Sequence, residues 1–179
     1  MVVTAIIIVA AFAVLAAILI LTPNAAKAGR TMQLEDPLCT ITHDGILGFR
    51  LGDSIKFAWS RIIHLNLMSE KEIEDFKKER EMYQMVGFGP NTIRIAKGKF
   101  SEIEGISMSF SGDKLSSILI YINPKPNTTN REYMKEIRDK CAKTLGNPQV
   151  DSGMTYQWMS RRGSVTLFYE KDKIIASIM

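Results

Sequence analysis

What most limits the folds open to this chain is an order of elements used twice. A helix-forming stretch followed by three short, turn-bounded strand patterns occurs once before and once after the break Asn123-Pro124-Lys125-Pro126-Asn127. Two prolines in five residues fix φ and remove backbone donors, so neither a helix nor a strand runs through that break. In the first half, Leu51-Gly52-Asp53-Ser54 reads as a turn capping a helix through Asp53 or Ser54. Ile55, Ala58, Trp59, Ile62 and Ile63 form its apolar stripe. Ser69 with Glu72 fits a capping box for a second helix, with Ile73, Phe76, Tyr83 and Val86 facing inward and Gly87 closing it. Strand patterns follow at residues 92–97, 102–110 and 114–122. Ile106, Met108 and Phe110 alternate with Gly105, Ser107 and Ser109, the period-two pattern of a sheet covered on one face.

In the second half, Thr129 or Asn130 caps a helix whose inner stripe is Met134, Ile137, Cys141, Ala142 and Leu145. Gly146 with Pro148 stops it. Strands are predicted at 154–159, 164–169 and 173–178, joined by Arg161-Arg162-Gly163 and by residues 170–172. The expected fold is α+β, with two helix-plus-antiparallel-strand repeats forming an antiparallel sheet and helices on one face. A single domain at 46–179 holds both halves, 46–122 and 130–179. A first strand is expected at 46–50, preceded by a linker at 29–45.

Residues 2–21 are uncharged and almost wholly apolar, and about 20 such residues suffice to span the hydrocarbon core as a helix. Residues 1–28 therefore read as a signal peptide or an N-terminal membrane anchor. Ala26 and Ala28 form an A-x-A cleavage pattern ending at Gly29, which favours a secretory signal. The absence of Lys or Arg at the start and the length of the run favour an uncleaved anchor through residues 2–22. The chain is expected to be exported to the periplasm or held as a single-pass membrane protein.

Charge narrows the partners. Lys and Arg number 23 against 19 Asp and Glu, a net charge of +4, and no basic block of the kind that tracks a phosphate backbone is present. Nucleic acid is not an expected partner. The only histidines, His43 and His64, show no metal-ligand spacing to each other or to a cysteine pair, so neither a metal nor another cofactor is expected. His43-Asp44 is an imaginable acid–base couple, but no nucleophile stands in a recognisable context such as G-x-S-x-G. Cys39 and Cys141, the only cysteines, are candidates for one disulfide tying the linker to the second-half helix if the chain is exported. Candidate partner-binding residues are Arg161 and Arg162 at a hairpin tip, and Ser107 and Ser109 on the polar face of their strand.

Four short motifs point further: Phe49-Arg50-Leu51-Gly52-Asp53-Ser54 before a helix, and Asp113-Lys114-Leu115-Ser116-Ser117-Ile118 entering a late strand. The others are Leu145-Gly146-Asn147-Pro148 after a helix, and Tyr156-Gln157-Trp158 in the next strand. Their order resembles the small envelope proteins that include the SmpA/OmlA outer-membrane-assembly lipoproteins and, as a tandem version, the beta-lactamase-inhibitor proteins. The chain departs from the lipoprotein members in having no cysteine in or just after its apolar run to carry a lipid. The resemblance implies a non-enzymatic module that binds an envelope protein, and names no contact residue. Two other readings stand beside it: a small extracytoplasmic hydrolase using His43 or a carboxylate near the turns, and a structural membrane-anchored domain without a specific ligand.

Overall fold

The computed structural model describes residues 36–85, 92–95, 100–123, 125–170 and 172–179, and for 80–85 the backbone only. The apolar run at 2–21, with the signal and anchor expectations attached to it, lies outside the described residues, as do Val86, Gly87 and the side chain of Tyr83. Among the described residues no helix is long and apolar enough to cross a membrane.

Strand order follows from where two meanders end. The first comprises β3 (Thr92–Ile95), β4 (Ile103–Ser111) and β5 (Lys114–Ile122); the second comprises β7 (Thr155–Ser160), β8 (Gly163–Glu170) and β9 (Lys173–Ile178), with β6 (Val150–Asp151) as a short edge beside β7. Their last strands pair, giving the antiparallel order β3-β4-β5-β9-β8-β7-β6. The β5–β9 seam sets Ile118 opposite Ile178, Ile120 opposite Ala176 and Ile122 opposite Ile174. Side chains alternate across a strand, so this register aligns whole apolar rows on one face. One row runs Ile106, Ile120, Ala176, Leu167, Tyr156 and the next Met108, Ile118, Ile178, Val165, Trp158, all buried. Burial of each large member contributes about 1.5–3 kcal/mol.

Helix α3 (Asn130–Leu145) covers that inner face with Tyr133, Met134, Ile137, Cys141 and Leu145. Thr129 starts it through a reciprocal capping box with Glu132, and Gly146 at φ 77° ends it. The indole N–H of Trp158 donates to the Gly146 carbonyl at 2.8 Å, fastening the helix end to β7. The fold is therefore the α+β arrangement expected, with two meanders joined into one sheet.

The first-half helices are held differently. Ser54 is the N-cap of α1 (Ile55–His64), its hydroxyl accepting from Phe57 N–H, while the Asp53 carboxylate accepts from Arg50 N–H. Gly52 N–H donates to the Leu115 carbonyl and Leu115 N–H to that of Asp53, tying this turn to β5 beyond the reach of β9. Ala58 and Ile62 are buried, but Ile63 is 55% exposed, so the stripe is narrower than predicted. Helix α2 (Glu70–Met85) carries the predicted Ser69–Glu72 capping box and meets α1 where the Phe76 ring lies 4.6 Å from that of Trp59.

The stretch ahead of α1 departs from expectation twice. A single strand at 46–50 is replaced by a hairpin of β1 (Gly45–Ile46) and β2 (Phe49–Arg50). Its two-residue turn places Leu47 at φ 53° and Gly48 at φ 78°, the double left-handed geometry that matches strand twist. A Cβ on Gly48 would strike the guanidinium of Arg61, whose Nε donates to the Leu47 carbonyl. The expected linker is, from Asp36 onward, packed structure: a 3₁₀ turn at Pro37–Thr40 sits on α3, and Leu38 and Ile41 are fully buried. Apolar residues interleaved with Pro and Thr carry no helical or strand period, which hides this packing from a periodicity reading.

Candidate functional site

Two turns far apart in sequence meet beside the C-terminal end of α3. The first, at Thr42–Gly45, is closed by Thr42 N–H donating to the Gly45 carbonyl, with the Thr42 hydroxyl 2.9 Å from the Asp44 carboxylate. The second is the β7–β8 hairpin, whose tip is Arg161-Arg162. Gly163 makes the meeting possible, because a Cβ there would strike the His43 carbonyl and stand 3.1 Å from Leu51. Between them lies an open cleft of about 490 Å³ lined by Thr42, His43, Asp44, Arg50, Thr144, Ser160, Arg161 and Arg162.

The cleft is cationic. Arg50, Arg161 and Arg162 are exposed, and none forms an ion pair with another described residue. Against three guanidiniums stand the Asp44 carboxylate and the end of α3, worth roughly half a negative charge. The positive charge wins, and planar guanidinium forks suit carboxylates. The hydroxyls are already engaged. Thr144 donates to the carbonyls of Ile41 and Cys141, Ser160 to that of Gly163, and Thr42 lies against Asp44 and the Gly45 carbonyl. No hydroxyl is hydrogen-bonded to His43 among the described residues, so the cleft shows no preformed hydroxyl–imidazole couple.

The structure thus joins His43, Asp44, Arg161 and Arg162, and adds Arg50, which sequence reading missed because it sat inside an expected strand. Ser107 and Ser109 lie elsewhere, on the face of β4 opposite the apolar rows, where Ser107 lines a separate depression. His64 is exposed on α1. Cys39 and Cys141 are free thiols, Cys141 buried in α3 and Cys39 in the 3₁₀ turn against it. Burial pushes the Cys141 thiol up to about 12; burial and the nearby Asp36 carboxylate raise that of Cys39.

A second charged cluster has the opposite character. Lys140 on α3 reaches Asp36 at 2.9 Å and Glu102 at 2.8 Å, its side chain only 18% exposed. Burial alone would lower the Lys140 pKa, but the hydrogen bonds to Asp36 and Glu102 outweigh it and raise it. For Asp36 burial acts upward, and the bonds from Lys140 and Leu38 N–H bring its carboxyl below the usual value. Burial, reinforced by Glu102, pushes neighbouring Tyr133 up to about 12. Among the described residues no group of three or more His, Cys, Asp or Glu is placed to hold a metal ion. Comparison with protein-family profiles, with curated proteins and with solved structures finds no match.

Proposed function

We propose that this chain is a non-enzymatic, exported or membrane-tethered envelope protein acting as a protein-binding module, its cleft gripping an acidic segment of the partner. The observation that carries the reading is the convergence of Arg50, Arg161 and Arg162 on one open cleft with a single opposing carboxylate. Like charges gathered on short, glycine-permitted turns lower stability unless a ligand offsets them, and an acidic peptide offsets them in a geometry guanidinium forks match. The engaged hydroxyls favour this over a hydrolase built on a Ser or Thr nucleophile in the cleft. The apolar run at 2–21 supports export or tethering on sequence grounds. Resemblance to the SmpA/OmlA and beta-lactamase-inhibitor proteins points the same way.

The test is affinity purification of the full-length chain from envelope extract at low salt, in parallel with the charge-reversed variant Arg161→Glu/Arg162→Glu. One or more proteins carrying an acidic segment should be retained by the native chain and lost by the variant. Identical recovery with both, or none with either, would remove the cleft from the account. Loss of a phenotype on replacing His43 and Asp44, with protein capture unaffected, would favour the hydrolase.

A further inference from the structure

On the sheet face opposite α3, β4 is out of step with β5 between Ile103 and Gly105, so that Gly105 stands opposite Tyr121. An irregularity of this kind re-aims side chains, and here it leaves Tyr121 with no side chain opposite it on β4, while Ile175 of β9 flanks it on the other side. The vacancy is a depression of about 300 Å³ lined by Arg94, Glu104, Gly105, Ser107, Tyr121 and Lys173, together with Ile95 and Ile106. Lys173 bonds the Glu104 carboxylate at 2.9 and 3.1 Å and stands 6.0 Å from the centre of the Tyr121 ring. Those contacts fix the wall and neutralise one another. Arg94, exposed at the rim, has no ion-pair partner among the described residues.

We infer that this depression is a binding site for a small aromatic carboxylate, its ring seated over Gly105 against Tyr121 and its carboxylate on Arg94. The volume is at the lower bound for ligand pockets, which limits the occupant to about one ring with a short acidic arm. Offset or edge-to-face packing on Tyr121 supplies the apolar contact, and the guanidinium supplies the selection for an anion. The inference is independent of the cleft, which lies at the β7–β8 tip and shares no lining residue with it.

The probe is 3-phenylpropanoate, with its neutral amide as control, titrated into the full-length chain in detergent micelles and followed by NMR shifts of Gly105, Ser107 and Tyr121. Saturable shifts confined to those residues are expected, with the acid bound several-fold more tightly than the amide. Gly105→Val fills the seat and should weaken the acid at least about tenfold, equivalent to about 1.4 kcal/mol. Arg94→Gln should remove the preference for acid over amide while leaving amide binding in place. Thermal unfolding of each variant checks that the sheet is intact; should Gly105→Val fail that check, Arg94→Gln decides alone. No saturable shift, shifts centred elsewhere, unchanged affinity in a folded Gly105→Val, or an acid preference that survives Arg94→Gln would overturn the inference.

Discussion

The Lys140 cluster and the arginine cleft use the same kinds of charged group to opposite ends. In the first, one ammonium is shared by two carboxylates in a half-buried setting, and each charge has its counterpart. In the second, three guanidiniums face one carboxylate in an open setting. A satisfied cluster locks elements together: here it joins the 3₁₀ turn, the entry to β4 and helix α3. An unsatisfied one holds its elements together by other means, namely Gly163 and the backbone of the two turns, and leaves its charges for something else. The difference separates charge that builds the fold from charge that the described residues leave without a counter-ion.

Removing the shared ammonium should produce the largest change. Lys140→Met leaves Asp36 and Glu102 facing each other without compensation, and chemical denaturation should show a loss of about 2 kcal/mol, less than a fully buried pair because both carboxylates are about one-third exposed. The pH dependence has a definite sign. The Asp36 contribution, its folded pKa being depressed from 3.8, is present above that value and lost as pH falls through the folded pKa. The Lys140 contribution, its folded pKa being raised from 10.5, is full below that value and lost as pH rises through the folded pKa. The stability gap between native protein and Lys140→Met should therefore be flat through neutral pH and close at both extremes.

Gly163→Ala comes next, at about 1–2 kcal/mol, since its Cβ forces the His43 turn away from the arginine hairpin. It should also weaken acidic-peptide binding by spreading the cleft. Arg161→Ala and Arg162→Ala should change stability by no more than about 0.5 kcal/mol while reducing binding, the reverse of Lys140→Met. A large loss of stability in the arginine variants would erase the distinction. The smallest effect belongs to Lys78→Ala, which breaks the pair with Glu74 on α2, both side chains 67% exposed, and should cost about 0.3–0.5 kcal/mol with no effect on binding.

Local rules made much of this architecture readable. The Ser69–Glu72 pair starts α2 where the reciprocal spacing says it must, Thr129, one of two cap candidates, starts α3, Gly146 stops it, and the alternation at Ile106, Met108 and Phe110 identifies the covered face. What stayed hidden depends on distant partners. Leu47 in a left-handed turn is unusual for a side chain of its size, and the hairpin it permits is held partly by Arg61 from α1. Leu38 and Ile41 read as linker because their burial is against α3, a hundred residues on. The cleft was half legible: Arg161 and Arg162 could be suspected at a hairpin tip, but their meeting with Arg50 and His43 rests on the space left by Gly163, which no local pattern announces.

The central claim is tested most directly by titrating a glutamate-rich peptide into the full-length chain, native and Arg161→Glu/Arg162→Glu, at two salt concentrations, with thermal unfolding of both proteins measured alongside. The account predicts saturable binding that weakens with salt, falls at least about tenfold in the variant, and leaves the unfolding midpoint nearly unchanged. Equal affinity of the two proteins for the peptide, or no binding by the native chain at low salt, would contradict it.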